Sequence, residues 1–232
     1  MAQFDDRLNA IGALTDDDRK HIQELLGQWQ LLSDLSFADL VLWVPKRSDY
    51  QSWPQGYLAI SHIRPTTAAT VFTNDVIGQS LNWGENSRID KVLRTGEIDR
   101  DTDPELKGEI WIKEEIVPVY FAQRVIAVIT RHRNAELMRS PSKLELNYRE
   151  IAHKIYRMLA EGNFPFQNSI YRAESAPRVG DGLIRLDANG FITYSSPNGR
   201  SALNRAGYNG ELEATNLGEI IDSIKTISQT PT

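Results

Sequence analysis

The 232-residue sequence contains no cysteine. That excludes a disulfide framework, a thiolate zinc site and a cysteine nucleophile. Histidine is scarce too: His21, His62, His132 and His153 are the full set. None pairs with another at His-x-x-x-His spacing, so no metal site is expected. Apolar runs are short. The stretch 40–45 falls far below the ~20 residues that span a bilayer, and residues 1–7 lack the basic and apolar blocks of a signal peptide. Positive charge is not in excess either. Lys and Arg total 26 against 31 acids, a net charge of −5. A nucleic-acid or anionic-membrane surface needs clustered Lys and Arg. The expectation is a cytoplasmic protein with no membrane and no nucleic-acid partner.

What is present is ordinary globular material, 41% hydrophobic and 25% charged residues, enough to bury a core unaided. A first helix follows Thr15, a good N-cap, with Asp16, Asp17 and Asp18 at the positive end of its dipole. Ile22, Leu25, Leu26, Trp29 and Leu32 make one apolar stripe along it. Residues 40–44 and 57–64 read as strands, and 69–72 as a short third. A short helix follows near 87–94. Residues 109–121 and 124–131, split by Ala122-Gln123, read as an antiparallel hairpin. A second long helix carries Leu144, Tyr148, Ile151, Ala152, Ile155, Met158 and Leu159 on one stripe, with Ser140 as its cap and Gly162 at its end.

Helix, antiparallel strands and helix together make an α+β domain at 14–162, after a tail at 1–13. Residues 163–179 lose periodicity and read as a linker. A smaller unit, 180–232, holds a hairpin around Asn189-Gly190, a helix opened by Pro197, and a helical pattern near 217–224. One hairpin and two small helices bury a core poorly. Either this unit packs on the first domain or the chain ends before its remainder.

Candidate binding residues cluster at strand ends. Strand parity sets His62 and Arg64 on one face with Leu58 and Ile60. Thr66 and Thr67 follow, and Arg131 closes the last strand. If these ends converge, they form a basic, hydroxyl-bearing mouth for a small anionic or nucleotide-like ligand. Trp43, Trp83, Trp111 and Tyr120 are the rings that would stack on it. The bland alternative is that the arginines pair with acids and the tryptophans are core. Leu25 and Trp29 on the first helix, with Tyr148 and Ile155 on the second, are candidates for a homodimer face, or else intramolecular core.

Catalysis finds no support. Glu114 and Glu115 are adjacent on a strand, point to opposite faces and cannot act on one atom. Gly180-x-Gly182 precedes a strand and reads as a turn. No nucleophile, base and orienting group assemble, so the chain is not expected to be an enzyme.

Five segments carry a resemblance: 27–40 (GQWQLLSDLSFADL), 64–67 (RPTT), 125–134 (VIAVITRHRN), 157–165 (RMLAEGNFP) and 177–197 (PRVGDGLIRLDANGFITYSSP). In this order they resemble the actinobacterial cytosolic sensor histidine kinases that feed antitermination response regulators. The resemblance implies a GAF-like antiparallel sheet flanked by long N- and C-terminal helices, then an incomplete PAS-like α+β unit. It also implies a homodimer and, beyond this region, a kinase core that uses ATP and Mg and passes phosphate to a response regulator with an RNA-binding output domain. No glycine-rich nucleotide box or phosphoacceptor histidine box occurs here, and His153 lacks such a box. No kinase residue is therefore carried over, and no cofactor is expected in this chain.

Overall fold

The computed structural model describes residues 11, 14–49, 51–100, 103–135, 140–166 and 176–229. The chain divides into two compact units, 1–176 and 177–232.

The first unit opens with α1 (Asp16–Leu26) and α2 (Trp29–Ser36). The Thr15 side chain accepts from the Asp18 N–H while the Asp18 carboxylate accepts from the Thr15 N–H, a complete capping box. The single first helix read from the sequence is two. Gly27 is a poor helix former, and Gln28 (φ −113°) leaves helical geometry between them. The second long helix, α4 (Lys143–Ala160), forms as expected, but its cap is Ser142 rather than Ser140.

Between the helices lies a six-stranded antiparallel sheet in the order β3-β2-β1-β6-β5-β4. Its strands are β1 (Asp39–Lys46), β2 (Gly56–Ile63), β3 (Ser80–Asn82), β4 (Glu105–Lys107), β5 (Ile110–Phe121) and β6 (Arg124–Asn134), with α3 (Ser87–Thr95) after β3. The expected hairpin is present. Ala122 and Gln123 both take positive φ, the geometry of a tight hairpin turn. The expected strand at 69–72 is not; the third strand is β3. Residues 64–79 instead run without regular structure across one sheet face. Pro45 is tolerated in central β1 because pairing with β6 ends at Trp43.

The two sheet faces bury different things. Val41, Trp43, Tyr57, Ala59, Ile116 and Val128 point to the face covered by α3 and residues 64–79, where Val76, Ile89 and Val92 complete the core. Leu40, Leu42, Val44, Val117 and Ile129 alternate onto the other face and are fully buried. That face is backed by α2 and α4, whose Leu32, Leu35, Ala152, Tyr156 and Leu159 are buried. Each large apolar side chain so buried contributes about 1.5–3 kcal/mol.

The second unit has β7 (Ile184–Leu186) paired antiparallel with β8 (Ile192–Ser195), then α5 (Pro197–Arg205) and α6 (Leu217–Gln229). Ser196 caps α5, and Pro197 fills its first turn. Ile192, Leu212 and Ile220 form a small buried core, while Leu186, Phe191 and Ile221 stay 40–42% exposed.

Candidate functional site

A β-bulge decides the candidate site. Leu42 pairs with Ser61 but Trp43 pairs with Ala59, so Ile60 is the extra residue. Beyond it, Val41 pairs with His62. His62 therefore shares a face with Ala59 and Tyr57, not with Leu58 as strict alternation predicted. Asp39 and His132 pair directly, as do Val41 and Thr130, and all point to that same face. The result is a polar cluster of Asp39, His62, Thr130 and His132 at one end of an apolar layer, each less than a tenth exposed.

Residues 64–79 form a strap, and its 70–75 part closes over this cluster. The carboxylate of Asp39 accepts from the Thr70 hydroxyl at 2.6 Å and the Val71 N–H at 2.8 Å. The Phe72 ring stands edge-on between the two imidazoles, with centroids 4.9 Å from each. His62 Nδ1 lies 3.1 Å from Asp75 Oδ1, and His132 Nε2 lies 2.9 Å from Thr130 Oγ1. Burial pushes the His132 imidazole down to about 3, so it is neutral at pH 7.

Other sequence candidates fall elsewhere. The Trp43 side chain sits in the apolar layer, with Nε1 donating to Thr130 Oγ1 at 2.9 Å. Thr66 donates to the buried Asp34 carboxylate through its N–H (2.6 Å) and its hydroxyl (2.9 Å), and the Thr67 hydroxyl donates to Asp34 O at 2.7 Å. The Arg64 carbonyl accepts from Gln30 Nε2 at 3.1 Å. These residues fasten the strap to the end of α2. The sequence could not separate such hydroxyls from ligand-binding ones.

Arg131 does not join the mouth. It pairs in register with Glu115, one position out of phase with His132, and so points to the helix-backed face. There Nη2 lies 2.9 Å from Glu115 Oε2, and the guanidinium lies 5.5 Å from the Tyr156 ring centre. Glu114 points the other way, to Arg88 and His132, so the adjacent carboxylates are indeed separated. Trp111 is 45% exposed on the far strand pair. Tyr120 packs near Gly96 and Gly162. Trp83 stacks on Tyr57 and meets the exposed Trp53 edge-on.

The sequence reading missed Asp34, Asp39, Phe72 and Asp75. One signal was available: Thr70, Thr73, Asn74 and Asp75 make 69–75 a poor strand and a good polar loop.

Of the dimer-face candidates, Leu25, Trp29 and Tyr148 are 0–5% exposed, within the core of the first unit. Ile155 alone remains half-buried, on a stripe with Leu144, Ile151 and Met158 that flanks the buried face of α4. Among the described residues, no helix is long and apolar enough to cross a membrane, and no group of metal-ligating side chains assembles.

Comparison with known proteins adds identity to this geometry. The family model described as "Histidine kinase PdtaS, GAF domain" matches residues 4–152. The chain is 36% identical over 219 residues to the sensor histidine kinase PdtaS of Mycobacterium tuberculosis, covering 91% of this chain and 41% of that protein. It is 38% identical over 201 residues to the PdtaS of Mycolicibacterium smegmatis, covering 85% and 39%. It thus spans about two fifths of the length of these curated relatives. A solved structure described as the sensor region of a sensor histidine kinase superposes with a TM-score of 0.78 at 31% identity, over 97% of this chain and 80% of that one. On sequence and fold together, the chain belongs to the PdtaS family of sensor histidine kinases and carries its GAF domain.

Proposed function

We propose that this chain is the sensory and dimerisation region of a cytoplasmic two-component histidine kinase. It binds a small ligand under the 64–79 segment and relays that event to a kinase core. The core uses ATP and Mg and phosphorylates a response regulator with an RNA-binding output domain. The second unit acts as a PAS-like relay between the two.

One observation carries this reading: polar contacts at the end of α2 tie that helix to the strap on one side and to α4 on the other. The strap holds Asp34 through Thr66 and Thr67. Asp34 belongs to α2, and Ser36 of the same helix lies 3.1 Å from the Tyr156 hydroxyl on α4. A ligand that shifts the strap therefore pulls on α2 and α4 together. Asp39, Asp75 and Glu114 surround the histidines. An anionic ligand would keep its charge near Arg64 at the mouth, where the arginine acts on Asp75.

The homodimer of this reading uses the α4 stripe of Leu144, Ile151, Ile155 and Met158, which a second copy would cover as a helix bundle. A thermal-shift screen against nucleotides and other small metabolites tests the sensing part. At least one compound should raise the melting temperature, since a ligand that binds only the folded state stabilises it by mass action. If none does, while a dimer persists at low concentration, the ligand-free dimerisation and relay module replaces it. Of the candidate stacking rings, Trp43 is buried in the apolar layer, which favours that second reading.

A further inference from the structure

Asparagine followed by glycine occurs at 189–190, 198–199 and 209–210, always within the second unit. This dipeptide carries a latent reaction. The glycine amide nitrogen, once deprotonated, attacks the asparagine Cγ, and glycine has no side chain to block the approach. A C–N bond forms, ammonia leaves, and a five-membered succinimide remains. Water then opens the ring at either carbonyl. The products are aspartate and isoaspartate, whose main chain runs through the side-chain carbon. The attack needs an amide free to lose its proton and a backbone free to bend. Two of the three sites lack that freedom. The Gly190 N–H donates to Asp187 O at 3.2 Å, and the Asn189 carbonyl accepts from Asn216 Nδ2 at 2.9 Å. Asn198 lies in the first turn of α5. There the buried Gly199 donates its N–H to Ser196 Oγ at 3.1 Å, and Asn198 Nδ2 donates to Gly180 O at 3.0 Å. Asn209 and Gly210 are both exposed and lie between α5 and α6. Among the described residues, neither the Asn209 side chain nor the Gly210 N–H has a hydrogen-bond partner.

We propose that Asn209 is a covalent modification site: in the folded chain it passes through the succinimide to aspartate and isoaspartate, and the isoaspartyl product loosens the second unit. The site sits between two anchors. On one side Tyr208 packs on the small core and donates its N–H to Leu203 O at 3.0 Å. On the other, Leu212 is fully buried beside Ile192 and Ile220. Isoaspartate adds one carbon to the main chain between these anchors, so both cannot keep their places unstrained. The bonds next in line tie this loop to β8: Ala214 N–H to Ile192 O and Ile192 N–H to Thr215 O, both 2.9 Å. The new carboxylate also joins Glu211 and Glu213 in a stretch, 206–224, that has no Lys or Arg. Like charges close together repel, which adds to the strain.

The test ages the wild-type chain at pH 8.5, below its melting temperature, and maps it by trypsin and mass spectrometry. Cleavage after Arg185, Arg200, Arg205 and Lys225 puts Asn189 and Asn198 in one peptide, 186–200, and Asn209 in another, 206–225. Peptide 206–225 should exchange its amide for an acid at least about fivefold faster, since the other two sites must first break local hydrogen bonds. In guanidinium chloride all three should convert at similar rates. Asn209→Gln should leave 206–225 unconverted. Equal rates in the two peptides of the folded chain would overturn the site. So would conversion of 206–225 that persists in Asn209→Gln, or an Asn209 that reacts only in guanidinium chloride. Hydrogen exchange then reads the loosening. The amides of Ile192 and Ala214 should exchange faster in the aged chain than in Asn209→Asp, which carries the same charge on an ordinary main chain. Exchange no faster than in Asn209→Asp would overturn the loosening.

Discussion

The carboxylate of Asp34, 1% exposed at the end of α2, accepts both the N–H and the hydroxyl of Thr66, from a segment that lies across the other face of the sheet. The same oxygen accepts from Gln30 Nε2 at 3.0 Å. Helix and strap are thus joined through one buried anion. Its loss orphans donors on both sides, and a hydrogen bond to a charged group is worth ~1.5–3 kcal/mol.

Asp34→Ala should therefore lower stability by ~2–4 kcal/mol, since removing a shared acceptor leaves several buried groups unpaired at once. Urea denaturation measures this. Asp34→Asn keeps one acceptor and should recover part of the loss. Hydrogen exchange should also speed up at residues 66–72 in Asp34→Ala, well before global unfolding. Protection left unchanged there would show that the strap is held by its apolar contacts alone.

Acid should weaken the first unit through its buried histidines. Burial lowers His132 from its ordinary 6.5 to about 3, and burial also lowers His21, opposed by nearby Asp18. The unfolded chain therefore takes up protons below pH 6.5 that the folded state refuses. Stability is full above 6.5 and falls as the pH drops, continuing for His132 to about pH 3. Each pH unit in that window removes up to about 1.4 kcal/mol through His132. Urea midpoints at pH 7.5, 6.0 and 5.0 should fall in order, and His132→Asn should flatten the slope. An unchanged slope in that variant would move the acid sensitivity to other groups.

The helix faces make a separable pair of outcomes. On the homodimer proposed above, Ile155→Arg on the half-buried stripe of α4 should leave the melting temperature nearly unchanged and shift light-scattering mass from dimer to monomer. Leu25→Ala lies inside the protomer core and should cost ~2–5 kcal/mol as a cavity, with no direct effect on assembly. Reversal of the two results would exchange their roles.

Local chemistry made much of this fold legible. The Thr15 cap, the two-residue turn at Ala122-Gln123, the Asn189-Gly190 hairpin and the Pro197 helix start are all encoded within a few residues, and all appear. The candidate site was half legible, for a physical reason. A strand's facing is counted from alternation, and the bulge at Ile60 resets the count. That bulge lies in the pairing with β1, which no local signal reports. His62 was chosen from its strand and met His132, whereas Arg131, one residue earlier, went to the opposite face. Thr66 and Thr67 carry the same hydroxyls whether they hold a ligand or an aspartate. Only the position of Asp34, more than thirty residues upstream, distinguishes the two.

A last test concerns the fastening of α3 to the sheet. Arg88 donates to Asp99 Oδ2 at 2.5 Å, Glu114 Oε2 at 3.1 Å and Glu114 O at 2.9 Å. The side chains are 21%, 13% and 11% exposed. Removing one member of a largely buried ion pair leaves its partner charged without compensation, at a cost of ~3–5 kcal/mol. Arg88→Met keeps the apolar stem and should show most of that loss at pH 7.5. Burial already raises the Glu114 carboxyl above its ordinary value, opposed by Lys107 and Arg88. Without Arg88 it should rise further and accept a proton more readily. The difference between Arg88→Met and wild type should therefore shrink from pH 7.5 to pH 5, because protonation removes the uncompensated charge only in the variant. Adding Glu114→Gln to Arg88→Met should restore part of the stability at pH 7.5 and abolish this pH dependence. A double variant no more stable than Arg88→Met would mean that the loss comes from Asp99 and the backbone carbonyl instead.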